Sequence, residues 1–162
     1  CLPMGLMQFH EHPQPRKMIQ TPGEIVIIYE SNYGLRHIYT DGRPLPEDTP
    51  PSYAGYSIGH WENDTLVVRT VGLRGDTTLD ANGLPHSDAL TLIERYRQIS
   101  PGQMQVAVTM DDPKAFRKPY TRVTNWRHQP DWVINEYVCL ENNRNPVDAN
   151  GKTLVILQSE GK

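Results

Sequence analysis

Two glutamates stand where the chain's own pattern calls for apolar side chains. In Leu90-Thr91-Leu92-Ile93-Glu94-Arg95-Tyr96 the alternating set Leu90, Leu92, Glu94 and Tyr96 reads as the inward face of a strand. In Trp132-Val133-Ile134-Asn135-Glu136-Tyr137-Val138 the set Trp132, Ile134, Glu136 and Val138 reads the same way. A carboxylate turned into an apolar interior loses its hydration, so it must find a partner, take up a proton or face a wet cavity. The chemistry that suits this pattern is acid–base work by a carboxyl of raised pKa in a partly dry cavity. Arg36 shares a face with Ile38 and can turn inward with it. Within a reactive site it would stabilise an oxyanion; as plain structure it would close an internal ion pair and hold a glutamate ionised. His86, in Pro85-His86-Ser87-Asp88, precedes the strand that carries Glu94. It reads either as an acid at the mouth of the same site, titrating near neutral pH, or as a histidine whose ring ties down a loop. The candidate catalytic set is therefore Glu94 as base, His86 as acid, Glu136 and Arg36. The reaction class it suits is cofactor-independent elimination, isomerisation or hydration, that is, a lyase or isomerase.

Aromatic residues supply candidate walls for such a site. Trp61, Tyr96, Tyr39 and Trp132, with Tyr29, Tyr56 and Trp126 nearby in the pattern, suit a planar or ring-shaped ligand. Ordinary strand packing accounts for the same residues equally simply. A metal reading is carried by His10 and His12, an H-x-H pair that would share one face of an extended segment, with His37 and His60 as further ligands. Its weakness is the Pro-rich arm in which His10 and His12 lie. No cofactor is called for.

The elements that must position these residues are strands. Residues 1–23, rich in Pro, Met, His and Gln, show no period and read as an extended arm ending at Thr21-Pro22-Gly23. Glu24-Ile25-Val26-Ile27-Ile28-Tyr29 is a β-branched run typical of a buried strand, and a second strand follows over 35–40. Residues 55–62 and 65–71 flank Asn63-Asp64 as a two-residue hairpin. Further strands are expected over 88–99, 103–110, 119–127 and 132–139. About eight successive strands with little helical periodicity predict an all-β, up-and-down antiparallel barrel, since closure removes exposed edges. One domain is expected over 1–162, with the arm at 1–23, the barrel at 24–139 and a tail at 140–162.

At 162 residues with 37% hydrophobic and 22% charged content, the chain can bury a real core. A net charge of −3 argues against a nucleic-acid surface, and no apolar run has the length of a membrane span. The first residue, Cys1, reads as the start of a mature or trimmed chain. Cys1 and Cys139 would form a bridge in an oxidising compartment and two free thiols in a reducing one.

The stretch Gly55-Tyr56-Ser57-Ile58-Gly59-His60-Trp61-Glu62-Asn63-Asp64-Thr65-Leu66-Val67-Val68 resembles the GHSIGxWEGDTLVV motif of a large family of uncharacterised, exported soil-bacterial proteins with lipocalin-like barrels. Matching pieces extend from Cys1-Leu2-Pro3-Met4-Gly5 through Arg36, Asp41-Gly42-Arg43, Pro85 to Leu90, Glu94-Arg95-Tyr96 and Asp112-Pro113 to Glu136-Tyr137-Val138-Cys139. The chain departs from the motif at Tyr56, His60 and Asn63, and in the His10-Glu11-His12 arm. The resemblance implies a periplasmic or secreted location and, with it, a Cys1–Cys139 bridge. It also implies a barrel that holds a small, largely apolar or aromatic molecule.

Two further readings stand beside this one. The arm and the 72–87 loop suit a non-catalytic assembly subunit, docking onto other copies as a homo-oligomer. A mononuclear metal enzyme using the histidines is the other.

Overall fold

The computed structural model describes residues 4–137. A six-residue helix, α1 (Leu6–Glu11), leads into eight strands: β1 (Arg16–Thr21), β2 (Glu24–Tyr29), β3 (Gly34–Tyr39), β4 (Tyr56–Glu62), β5 (Thr65–Val71), β6 (Thr91–Ser100), β7 (Gln103–Asp111) and β8 (Tyr120–Arg127). They form one sheet in sequence order, curled into a half-barrel. The all-β, strand-after-strand architecture expected from the sequence is what the chain adopts. No helix among the described residues is long and apolar enough to cross a membrane.

Period-2 alternation sets which side chains face the concave interior. In β2, Ile25, Ile27 and Tyr29 are buried while Glu24, Val26 and Ile28 are only half-buried. The same rule turns Arg36 and Ile38 of β3, Leu66, Val68 and Thr70 of β5, Leu92, Glu94 and Tyr96 of β6, and Val106, Val108 and Met110 of β7 inward, all of them buried. The outer face is charged: Glu62 of β4 reaches Arg95 of β6 at 2.5 Å across Val67 of β5, which explains why that outward valine is buried.

Three expectations are corrected. Of the arm expected over 1–23, the described residues 4–23 are not extended throughout: Leu6–Glu11 is helical, and Arg16–Thr21 pairs antiparallel with β2 through the Pro22-Gly23 turn. Pro13 and Pro15 interrupt any period there, and six residues are too few for a helical one to show. Conversely, residues 132–137 form no strand, and Trp132 and Val133 are exposed. The sheet thus has its eight strands by recruiting β1. The meander is also not wholly antiparallel, because β3 and β4 run parallel through Ile38↔Ser57 and Tyr39↔Ile58, after the long loop 40–55 returns the chain to the starting end.

Helix α1 fills the concave side. Leu6, Met7, Phe9 and His10 are buried against the strands, and Phe9 stacks on Tyr29 with centroids 4.6 Å apart. A helix this short does not persist alone, so packing holds it. Leu6 N–H donates to the Tyr53 carbonyl (3.1 Å), Gln8 Nε2 donates to Thr78 Oγ1 (2.8 Å), and Arg16 donates to the carbonyls of His10 (3.4 Å) and His12 (2.5 Å) at the helix end. Gly34 of β3 lies flat against Phe9, where a Cβ would come within 2.6 Å of the phenyl ring. The open edges meet through side chains: the Arg16 guanidinium of β1 sits 4.4 Å over the Trp126 ring of β8.

Candidate functional site

A polar belt crosses the floor of the half-barrel on four adjacent strands, β3 to β6. Arg36 and Glu94 are its charges, 1% and 0% exposed. Arg36 Nη1 donates to Glu94 Oε1 at 2.9 Å, and Nη2 pairs with Oε2 in a bidentate bridge. The rest of the guanidinium is also engaged, with Nε and Nη2 reaching Ser57 Oγ (3.2 and 3.0 Å) and Nη2 reaching Thr70 Oγ1 (2.8 Å). The carboxylate in turn accepts from Tyr96 Oη at 2.7 Å and Thr70 Oγ1 at 3.3 Å. Burial alone would push the Glu94 carboxyl up, but Arg36, followed by His10, outweighs it and holds the group well below the usual carboxylate range. Arg36 is correspondingly raised, Glu94 overcoming the effect of burial. Glu94 is therefore the ionised member of an internal ion pair, and not a proton-bearing acid.

His10 closes the belt from above. Its ring, 5% exposed, is carried down by α1 until Nε2 lies 2.8 Å from Glu94 Oε1, though off the line of an aligned hydrogen bond. It stacks on Trp126 (5.7 Å, 25°) and tilts against Tyr96 (6.4 Å). Burial lowers the pKa of His10, and the pull of Glu94 only partly offsets this, while Arg36 and Arg16 oppose a second charge. Both ring nitrogens of His10, Nε1 of the stacked Trp126 and, deeper in the same barrel, Tyr29 Oη are buried without an aligned hydrogen-bond partner. Burial, first, and then Glu94 raise the Tyr96 phenol. Tyr29 is raised by burial as well, with Arg36 opposing it, so both phenols are neutral donors.

A recess of about 180 Å³ lies beside α1, lined by Met4, Phe9, Tyr33, Leu35 and Tyr53 among others. Phe9 is common to both spaces. Its ring walls the recess and stacks on Tyr29 inside the barrel. At the rim, Asn32 and Tyr33 both hold positive φ, 53° and 49°, an uncommon conformation for an aromatic residue.

The structure brings Glu94, Arg36 and Tyr96 together as their shared inward faces predict. It does not bring Glu136 to them: that residue is exposed and outside any strand, because the segment expected to carry it inward does not join the sheet. His86 is buried, but its Nδ1 faces the Ser87 carbonyl and its Nε2 the Thr77 hydroxyl, each at 2.8 Å, so it ties down its own loop. Of the expected ligand-wall residues, Tyr39 lies on the outer face beside Tyr56 (5.2 Å) and Arg43, Trp61 is 50% exposed at a strand end, and Trp132 is 60% exposed. The histidines offered for a metal are dispersed. His10 faces Glu94, His12 bonds Gln14, and His37 and His60 sit on the outer face with Glu24 and Glu62. The helical turn at His10 also removes the extended geometry that the H-x-H reading needs, and among the described residues no three His, Cys, Asp or Glu side chains gather as a metal site. Cys1 and Cys139, and the bridge between them, lie outside the described residues.

Sequence reasoning missed several members of the cluster. Ser57 and Thr70 break the apolar inward faces of β4 and β5 just as Glu94 breaks that of β6, so the same alternation rule would have found them. Arg16 and the role of His10 carried no local signal. Asp112, fully buried, accepts from Ser87 N–H (2.6 Å), Ser87 Oγ (2.7 Å) and the Lys114 and Ala115 amides, stapling the 87–90 segment to the turn after β7. Burial opposes its ionisation, but these donors hold its pKa below the ordinary value.

No protein-family model matches this chain, and neither a curated protein nor a solved structure does.

Proposed function

We propose that this protein is a lipocalin-like binding barrel that holds a small, largely apolar aromatic molecule in the recess walled by Phe9, Tyr33 and Tyr53 beside α1. One observation carries the reading: Phe9, which walls the aromatic recess, stacks on Tyr29, and the buried Tyr29 phenol feels the charges of Arg36 and Glu94. Binding sites of small molecules combine apolar walls with a few convergent polar groups, and Tyr29 Oη and Trp126 Nε1 are buried donors with hydrogen-bonding capacity to spare. The lyase or isomerase chemistry expected of Glu94 gains no such support. Its carboxylate is saturated by Arg36, Tyr96 and Thr70, and His86 is committed to its loop. We therefore read the protein as a binder. The assembly reading loses its motive for residues 4–23, which pack into their own barrel. Export to the periplasm or beyond is part of the proposal and rests on the resemblance of residues 55–68 to the exported family.

The test is calorimetric titration of the whole chain with 1-naphthol, a planar aromatic bearing one hydroxyl. Saturable one-to-one binding is expected, altered by Phe9→Ala, which opens the partition, and weakened by Tyr53→Ala. An isotherm without saturation in the wild type and in Phe9→Ala alike would sink the reading.

A further inference from the structure

We infer that the place held by the His10 ring is a binding seat for a neutral, planar nitrogen heterocycle bearing an N–H, and that helix α1 is a built-in competitor for it. The inference rests on the binding reading above and adds a second seat, inside the barrel. His10 already behaves as a ligand would. It is a flat ring with a nitrogen 2.8 Å from a carboxylate oxygen, stacked on Trp126 and bounded by Tyr96. It is delivered by a short helix, not by a strand of the barrel itself. The stacked Trp126 has a buried Nε1 that His10 leaves unsatisfied, and neither ring nitrogen of His10 makes an aligned hydrogen bond. A buried polar group without a partner costs stability, so His10 is an imperfect occupant. A ring free of the helix could settle in the same stack and align its N–H on Glu94, as His10 does not.

The charges select a neutral ligand. Arg36, Arg16 and Glu94 leave the seat with an excess of one positive charge when His10 is neutral, so an imidazolium or other cation is disfavoured. The competitor can leave. Helix α1 is bounded by Gly5 and by Pro13, and it is held by docking contacts rather than by its own length. Its main contact with β3 is Phe9 on the bare Cα of Gly34, whose φ of −60° is open to any residue.

The experiment uses full-length His10→Ala with imidazole as the probe, at pH ~8 where imidazole is neutral. Imidazole should raise the Tm of the variant saturably, by roughly 5 °C or more at ~100-fold its dissociation constant, and change Trp fluorescence. Thiophene, a ring of the same shape without an N–H, should do neither, and the wild type should respond to neither. Should His10→Ala not accumulate folded, the comparison is read as refolding yield with each ring. Gly34→Ala, with His10 intact, tests the competitor: the added methyl displaces Phe9, and this variant should bind benzimidazole where the wild type binds it at least ten-fold more weakly. Equal effects of thiophene and imidazole, or no effect of either, would overturn the seat; a Gly34→Ala variant no better than wild type would overturn the competition. A wild type that binds 1-naphthol alongside an inert His10→Ala would refute the seat and leave the binding reading standing.

Discussion

Removing either member of the Arg36–Glu94 pair leaves the other charge inside the barrel without a counter-ion. Arg36→Met or Glu94→Leu alone should lower stability by about 3–5 kcal/mol, and the double variant should recover most of that loss, because desolvating a pair costs nearly what its attraction returns. Urea midpoints of the three variants check this; additive losses would show that the two residues act independently. The acid response separates His10 from Glu94. The fold holds His10 neutral against the unfolded value of ~6.5, so below that pH the unfolded chain binds more protons and stability falls. Glu94, depressed by Arg36 despite burial, contributes stability that is full above ~4.3 and is lost only in stronger acid. The groups facing His10 are Glu94, Arg36, Arg16, Tyr96 and Trp126. His10→Phe should therefore flatten Tm against pH between ~7 and ~5 while leaving the steeper loss in stronger acid. A slope unchanged in the variant would remove His10 as its source.

Among the elements, strands β2, β3, β5, β6 and β7 were legible because each alternates in register with one buried face. In Glu24–Tyr29 the bounds expected from the β-branched run are those observed. The Asn63-Asp64 hairpin was legible for a local reason too, since Asn63 takes positive φ (54°) where asparagine is tolerated. Helix α1 was not, because nothing in six residues distinguishes a helix from an arm until a concave surface receives it. The loop before β6 depends on Asp112 in the same non-local way. Asp112→Ala should free the backbone at 84–90 to hydrogen exchange and proteolysis, with β2 and β5 little changed. Equal loosening throughout the sheet would instead make Asp112 part of the global core.

For the whole molecule, the half-barrel must manage two edges, β1 and β8. Arg16 answers for both. It caps α1 through two carbonyls and stacks on Trp126 across the gap, and burial lowers its pKa without removing its charge. Arg16→Ala should speed amide exchange along β1 and β8 together with α1. Arg16→Lys should rescue little, because an ammonium offers neither the flat stacking face nor the forked donors. Exchange confined to β1 would show that the edges do not depend on each other.

What the amino-acid sequence determined by itself is the strand alternation, and with it the inward placement of Glu94, Arg36 and Tyr96, because a period of two is a local property that each strand carries wherever it pairs. Which segments complete the barrel and fill it was settled only by long-range packing: β1 joins the sheet where 132–139 was expected, Glu136 stays outside, and His10 arrives on α1 to meet Glu94. Those choices turn on long-range burial. A short segment gains its conformation from the surface it covers, and that surface exists only once the strands have curled.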